Sequence, residues 1–138
     1  MTATTTARES KRKDGQLIAY PMAAVKIPRG TLVNIGCDGY AKNAESRLGE
    51  KFAGLAYETV DNSEGEPGDL SIRVETTGTF LLVDFNGDGD QKDVGKEFTI
   101  IDNQTVTDGI NLDAITVGIA VESVSKTCVR IRIDKFAS

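Results

Sequence analysis

The sequence predicts an all-β domain of about eight short strands, built as a small barrel or sandwich. Short segments rich in β-branched residues alternate with turns, and the chain contains 14 glycines. Almost no stretch repeats its apolar residues at helical spacing. The length of 138 residues suits one domain, which we place at residues 16–138 after a basic N-terminal arm at residues 1–15.

The strands follow one another with turn residues between them, such as Asp38-Gly39, which tolerate or stabilise a chain reversal. The final strand alternates apolar and polar residues, so one of its faces lies in a core and the other in water. Any helix is short, over residues 41–48 or as a turn near Leu112. The predicted strands are 16–20, 32–35, 52–59, 70–76, 79–85, 97–101, 116–124 and 127–133.

An internal repeat links two pairs of these strands. Residues 53–60 and 117–124 share the frame Gly, apolar, Ala, apolar, Glu, Thr or Ser, Val. After a loop, the sequence SIRV follows the first copy and RIRI follows the second. The repeat predicts two related strand-turn-strand units, and chance matching between two amphipathic strands is the alternative.

The complete absence of histidine removes most catalytic possibilities. Without imidazole there is no Ser-His or Cys-His nucleophile pair and no histidine-containing zinc site. Catalysis by paired carboxylates or by lysine needs a pair that the sequence does not single out. We therefore expect a binding protein and not an enzyme.

Charge divides the chain into a basic arm and an acidic body. Residues 1–14 contain four basic and two acidic residues, a net charge of +2, so the other 124 residues contribute −7 to the total of −5. An acidic body disfavours nucleic acid as a partner, because that affinity comes largely from Lys and Arg. The arm is either a disordered terminus or a segment that becomes ordered on a partner. Its candidate partner-binding residues are Thr4, Thr5, Thr6, Arg8, Lys11, Arg12 and Lys13.

The two cysteines and the apolar segments restrict the cellular setting. Cys37 and Cys128 have no CxxC spacing, so we expect two buried thiols, with a disulfide as the alternative. The apolar stretch after the basic cluster contains Pro21 and does not resemble a signal peptide. No apolar run is long enough to span a membrane as a helix, which indicates a protein made in the cytoplasm with no membrane partner.

One acidic loop resembles half of a calcium-binding loop. Asp84, Asn86, Asp88 and Asp90 fall at the first four ligand positions, and Asp93 follows. The closing bidentate Glu is missing, so calcium is a possible cofactor and a polar hairpin loop is the alternative. A second acidic run, residues 58–69, is interpreted as a solvated loop.

Residues 25–82 resemble the capsid cement, or head decoration, proteins of tailed double-stranded DNA bacteriophages. The resemblance lies in the apolar-x-x-Gly loop at 27–30, the strand at 32–35, the Asp38-Gly39 turn and the Phe-x-Gly-apolar-Ala type of pattern at 52–56. It continues in the Gly-x-x-x-apolar-x-apolar pattern at 68–74. The segment 84–96 departs from the family and looks like an insertion.

The resemblance implies a β-barrel or β-tulip domain on the outer surface of the virion. Such a protein binds the major capsid protein, commonly as a homotrimer, and stabilises contacts between capsid subunits without catalysis. The family likeness also implies that the threonine-rich arm adds to an exposed strand of the capsid, since strand addition needs no apolar side chains. The alternative function is a calcium-binding β module of a secreted or surface adhesive assembly.

Overall fold

The computed structural model describes residues 17–82, 84–86, 91–108, 115–125 and 128–134. The all-β prediction is confirmed, because these residues form thirteen strands and one single-turn 3-10 helix at Gln91–Asp93. The strands are β1 Leu17–Pro21, β2 Lys26–Ile27, β3 Leu32–Ile35, β4 Ala41–Asn43, β5 Lys51–Ala56, β6 Val60–Asp61, β7 Ser71–Glu75, β8 Thr77–Leu82, β9 Asp84–Asn86, β10 Glu97–Ile100, β11 Thr105–Thr107, β12 Thr116–Ser125 and β13 Cys128–Asp134.

Each of the eight predicted strands has a counterpart, and five shorter strands accompany them. The strand predicted at 79–85 ends at Leu82 as β8, and residues 84 and 85 belong to the separate strand β9 at the other end of the sheet. The short helix suggested over residues 41–48 is wrong: Ala41 pairs with Ile35, and residues 44–50 form a loop. The segment is drawn into extended structure because Ala41 is fully buried beside the apolar strand β3. Leu112, near the other suggested turn, lies outside the described residues.

Two sheets with the same strand order make up most of the fold. The first runs β1-β7-β5-β3-β4, and the second runs β8-β13-β12-β10-β11 with β9 added beyond β11. Neighbours within the shared order are antiparallel in both sheets. In each sheet the segment that follows the first strand runs parallel to the last strand of the shared order. Met22, which follows β1, pairs with Ala41 of β4 in the first sheet, and β9, which follows β8, pairs with β11 in the second. The second half of the chain, β8–β13, thus repeats the topology of the first half, β1–β7.

The pairing registers of the two sheets also agree. Gly54 in β5 lies opposite Val33, and Gly118 in β12 lies opposite Phe98. In both sheets the register shifts by one residue directly after this pair, which marks a β-bulge at the same place. The similarity therefore extends from strand order to the irregularities of the sheets.

The predicted sequence repeat is present, with a different alignment of its second strand. The sequence pattern aligned SIRV with RIRI, which would match Arg73 to Arg132. In the structure Ala56 lies opposite Val74 and Ala120 lies opposite Ile131, so Arg73 corresponds to Arg130. A shift of two residues leaves the same faces buried, so only the pairing partners distinguish the two alignments.

Each half has its own hydrophobic cluster, formed by corresponding positions. Val74 of the first cluster corresponds to Ile131 of the second, and Val33 corresponds to Phe98. In the first half the strand pair β2-β6 adds Ile27 to the cluster. Buried residues of the first cluster are Met22, Ile27, Val33, Ala41, Ala53, Ala56, Ile72 and Val74. Those of the second are Leu32, Ala44, Leu55, Phe98, Ile100, Val106, Val117, Ala120, Val129, Ile131 and Ile133.

The first half packs against the second through residues of β3 and β5. Leu32 and Leu55 are buried in the second cluster, and the Leu32 backbone N–H donates to the carbonyl oxygen of Asn103 at 2.7 Å. The corresponding positions in the second half are Glu97, which is exposed, and Ile119, which is half-buried. Within the part of the chain that the structure describes, Glu97 and Ile119 belong to neither hydrophobic cluster, so no second contact of this kind is seen there.

In the described strands, neither sheet closes by a continuous ladder between its first and last members. The structure therefore places the chain among all-β proteins with several largely antiparallel sheets. Its described residues contain no helix that is long and apolar enough to cross a membrane. The predicted boundary between arm and domain, at residues 15 and 16, lies outside the described residues.

Candidate binding surface

The predicted partner-binding residues of the arm lie outside the described residues. Leu17, the first described residue, begins β1 at one edge of the first sheet. The arm therefore leaves the domain from an edge strand. The residues concerned are Thr4, Thr5, Thr6, Arg8, Lys11, Arg12 and Lys13.

The predicted calcium ligands are also not located as side chains. The backbones of Asp84 and Asn86 form part of β9, and Asp93 ends the 3-10 turn. Their side chains, and Asp88 and Asp90 as a whole, lie outside the described part. Among the side chains that are described, no group of three or more acidic, cysteine or histidine residues could hold a metal ion. Calcium binding at residues 84–93 stays a prediction.

The second acidic run is a loop held by a buried asparagine. Asn62 Nδ2 donates to the carbonyl oxygens of Ala23 at 3.2 Å and Glu66 at 3.0 Å, and its backbone N–H donates to Val25. Five acidic side chains surround this anchor without a basic residue in 57–70, and most of them are exposed. Residues 62–70 fit the interpretation of a solvated loop, whereas Asp61 belongs to β6 and Glu58 is paired with Arg73.

A polar cluster beneath the loop 44–50 was not foreseen from the sequence. Lys42 Nζ lies 2.6 Å from Glu50 Oε2 and 2.8 Å from Glu45 Oε1, and the Glu50 side chain is only 3% exposed. Asn34 Nδ2 donates to Glu50 Oε1 and to the Glu45 carbonyl, while its buried Oδ1 has no hydrogen-bond partner in the structure as described. Arg47 completes the cluster on the exposed side of Glu45.

Neighbouring groups in this cluster shift the pKa values of Lys42 and Glu45. Hydrogen bonding from Lys42 is the main cause of a lowered pKa at Glu45. Burial is the largest single influence on Lys42 and acts to lower its pKa. The hydrogen bonds and charges of Glu45 and Glu50 together outweigh burial, so the pKa of Lys42 is raised. Lys42 and Glu45 are therefore both charged at neutral pH, and their contacts with each other and with Glu50 tie the loop 44–50 to the first sheet.

The tip of that loop exposes a leucine next to a free thiol. Leu48 is 75% exposed. Gly49 follows it with φ of +91°, and a Cβ there would lie 2.9 Å from Cys37 Sγ. Cys37 is free and exposed, which corrects the expectation that it is buried. It belongs to the turn between β3 and β4, where the chain reverses at the surface, and the side chain of Cys128 is not described.

On the hairpin β5-β7, an aromatic side chain lies beside an ion pair. Arg73 Nε and Nη2 donate to the two carboxylate oxygens of Glu58 at 3.0 and 3.1 Å, and the guanidinium lies 5.1 Å from the Tyr57 ring centroid. These bonds, with the Arg73 backbone N–H, lower the pKa of Glu58. Tyr57 is 44% exposed, so this first patch (Tyr57, Glu58, Arg73) faces solvent.

The hairpin β12-β13 has a related group at the matching place. Arg130 Nε lies 3.3 Å from Glu122 Oε2, and Val121, which precedes Glu122 in β12, is 41% exposed. We call this group the second patch (Val121, Glu122, Arg130). The sequence repeat contains Glu58 and Glu122 in its frame, but only the structural alignment brings Arg73 and Arg130 into correspondence.

Both patches combine a neutral ion pair with exposed apolar area, which suits contact with another protein surface. Comparisons with protein families, with curated proteins and with solved structures found no match.

Proposed function

We propose that this chain is a structural protein of a phage virion that binds the outer surface of the mature head and stabilises contacts between major capsid protein subunits. The proposal includes assembly as a homotrimer and a role without catalysis. Its main support is that the residues carrying the family resemblance, 25–82, contain the adjacent strands β3, β5 and β7, the central part of the first sheet.

The charge distribution and the position of the arm give further support. The arm precedes β1, an edge strand, so an extended arm can reach a neighbouring protein without disturbing the sheet. Its basic cluster then meets an acidic rim of the capsid, which makes attachment sensitive to salt. An acidic body also limits non-specific binding to the nucleic acid released during infection.

We further propose that each five-strand set forms a small barrel or β-tulip. The support is the pair of parallel contacts, Met22 with Ala41 and β9 with β11, which bring the segment after each first strand against the last one. In such a barrel each set of five strands would curve around its own hydrophobic cluster and enclose it.

The test is co-sedimentation of the purified chain with empty, expanded heads from the same source. Three forms are compared: the full chain, a chain lacking residues 1–14, and a full-length variant with Lys11, Arg12 and Lys13 replaced by Gln. We expect saturable binding by the full chain, a sharp loss without the arm, and weaker, less salt-dependent binding by the Gln variant. Absence of saturable binding by the full chain would refute the proposal.

A mass measurement tests the oligomer independently. Light scattering during size exclusion should give about 44 kDa for a trimer, three times the chain mass of 14.8 kDa. A monomer in solution that trimerises only on heads would appear as binding in multiples of three at saturation. Monomeric binding at saturation would contradict the trimer.

A further inference from the structure

A lysine, an asparagine and a glutamate meet at one end of the first sheet. Asn34 of β3 lies directly opposite Lys42 of β4, the last strand in the order of that sheet. Residues opposite each other on antiparallel strands have Cβ atoms about 4.5–5.5 Å apart, on the same side of the sheet. Both side chains reach Glu50: Lys42 Nζ donates to Oε2 at 2.6 Å, and Asn34 Nδ2 donates to Oε1 at 3.1 Å. One carboxylate group therefore contacts both a primary amine and a carboxamide.

The carboxamide and the carboxylate are shielded from water. Asn34 is fully buried, and the Glu50 side chain is only 3% exposed. Leu32, on the same face of β3 as Asn34, is buried in the second cluster, and Phe52, opposite Asn34, packs against that cluster. Apolar surroundings favour the neutral forms of an amine and a carboxylic acid. They therefore reduce the cost of moving a proton from Lys42 to Glu50.

The asparagine is held in an orientation that a purely structural role leaves incompletely satisfied. Its Nδ2 donates to Glu50 and to the Glu45 carbonyl oxygen, whereas its buried Oδ1 has no hydrogen-bond partner among the described residues. Buried polar atoms are nearly always paired, and an unpaired one calls for an explanation. A carboxamide whose nitrogen lies against a carboxylate is oriented for loss of that nitrogen, because the carboxylate can carry a proton to it. A reaction at Asn34 accounts for this orientation.

We propose that Lys42 and Asn34 become joined by an isopeptide bond, with Glu50 as the proton carrier. The Lys42 ammonium first passes a proton to Glu50 Oε2, and the neutral Nζ then attacks Asn34 Cγ. The Nζ–Cγ bond forms and the Cγ–Nδ2 bond breaks. The two protons that Nζ gives up leave with Nδ2 as ammonium, so Glu50 returns to its carboxylate form. The reaction needs no other reactant and occurs once in each chain.

Glu45 influences the state of the amine before the reaction. Lys42 also donates to Glu45 Oε1 at 2.8 Å. Burial acts to lower the pKa of Lys42, but the hydrogen bonds and charges of Glu45 and Glu50 outweigh it and raise the pKa. The resting amine is thus an ammonium, and only its minor neutral form attacks. Bond formation is slow for this reason, but it goes to completion, because the strands hold the two side chains together while ammonia is lost to the solvent.

The bond fixes the terminal strand of the first sheet. The strand β4 has only three residues, so few backbone hydrogen bonds attach it to β3. A covalent link between the two strands restricts the unfolded chain and prevents β4 from separating when those hydrogen bonds open. This inference concerns the folded chain alone and does not depend on the proposed function.

Peptide mapping by mass spectrometry tests the bond in the purified, folded chain. Trypsin cleaves after unmodified lysine, so an unreacted chain gives separate peptides of residues 30–42 and 43–47. A linked chain gives one peptide of residues 30–47, lighter than its sequence mass by one ammonia. The mapping is repeated during prolonged incubation at neutral pH, and on three variants. Glu50→Gln removes the proton carrier, Lys42→Met removes the amine, and Glu64→Gln is the matched control, because Glu64 is exposed and lies in another loop.

We expect the linked peptide from the unmodified chain and from Glu64→Gln. Glu50→Gln should form it at least roughly 100-fold more slowly, since proton transfer by the carboxylate is lost. Lys42→Met should keep its full sequence mass over residues 30–47. Circular dichroism verifies that each variant is folded, and the unmodified chain decides the question even where a variant does not fold.

Three results would overturn the proposal. The first is separate peptides of full mass from the unmodified chain after incubation. The second is loss of ammonia from residues 30–42 with normal cleavage after Lys42, which indicates that Asn34 has closed on its own backbone. The third is an unchanged rate of bond formation in folded Glu50→Gln.

Discussion

Close approach between neighbouring strands makes Gly54 and Gly118 the positions where the repeat is most sensitive to a single methyl group. A Cβ built at Gly54 would lie 2.9 Å from Val74 Cγ1, with the Glu75 carbonyl oxygen nearer still. A Cβ at Gly118 would lie 2.9 Å from Ile131 Cγ2, again with a backbone oxygen nearer. Both distances are below the 3.0 Å that real Cβ atoms respect, so the backbone must move.

Three alanine variants separate the steric cost from the cost of the backbone angle. Gly30 has φ of +82° and nothing within 4 Å of its Cβ position, so Gly30→Ala should cost about 1–2 kcal/mol from conformation alone. Gly118→Ala introduces crowding without a left-handed φ, and it should lower the free energy of unfolding by about 1–3 kcal/mol. Gly54 combines crowding with φ of +149°, so Gly54→Ala should lower the free energy of unfolding by roughly 2–5 kcal/mol.

The assay is urea unfolding followed by far-ultraviolet circular dichroism. Gly54→Ala should have the lowest urea midpoint, and the midpoints of Gly30→Ala and Gly118→Ala should lie between it and that of the unmodified protein. The slope of the unfolding free energy against urea concentration should not change. If Gly54→Ala is no less stable than Gly30→Ala, the strands β5 and β7 are not as close as described, and the argument from corresponding glycines fails.

Four further predictions concern charge, metal and the free thiol. Lys42→Met should lower the free energy of unfolding by about 3 kcal/mol, since it leaves the buried Glu50 without its partner, and adding Glu50→Gln should recover part of the loss in urea unfolding. Because the pKa values of Glu45 and Glu58 are lowered by folding, the unfolded chain binds more protons than the folded one as the pH falls below about 4.5. The stabilisation from these two groups is therefore complete above that pH and is lost below it. In thermal unfolding across this range, Glu58→Gln should lose less stability on acidification than the unmodified chain. Millimolar calcium should raise the unfolding temperature through residues 84–93 and give heat in calorimetry, both abolished by Asp88→Asn with Asp90→Asn, and absence of heat in the unmodified chain would remove the site. A thiol reagent should label the folded protein rapidly at Cys37, and a folded Cys37→Ser variant labelled equally fast would contradict its exposure.

The larger elements of this fold could be predicted from sequence because each has its own pattern. The strand β13 alternates apolar and polar residues, and β5 and β12 share a frame of small and apolar residues. The five additional strands are only two or three residues long, and they exist through their partners. For example, β2 is extended because Ile27 is buried opposite Val60, a contact between distant segments that local sequence does not encode.

The candidate binding surface was harder to predict for the same reason. Glu58 and Arg73 meet across a hairpin whose connecting residues 57–70 give no sign of the register, and the sequence alignment of the repeat placed the arginines two residues apart. The polar cluster around Glu50 depends on a lysine and an asparagine from two different strands. The arm and the calcium loop were prominent in the sequence because they differ in composition, and their roles stay predictions.

The duplicated topology poses a problem for folding that the chain must solve. Two strands with nearly the same frame, β5 and β12, can each pair with either β7 or β13, and an exchanged pairing would trap a misfolded chain. Connection length favours the correct choice: β12 and β13 are separated by two residues, whereas β5 and β7 are separated by residues 57–70. A hairpin with so short a loop forms within about 1–10 μs, so β13 is occupied before β5 can compete for it. From the loop lengths we therefore expect β12 and β13 to pair first, so that β5 and β7 in the first half of the chain pair after β13 has ceased to be available.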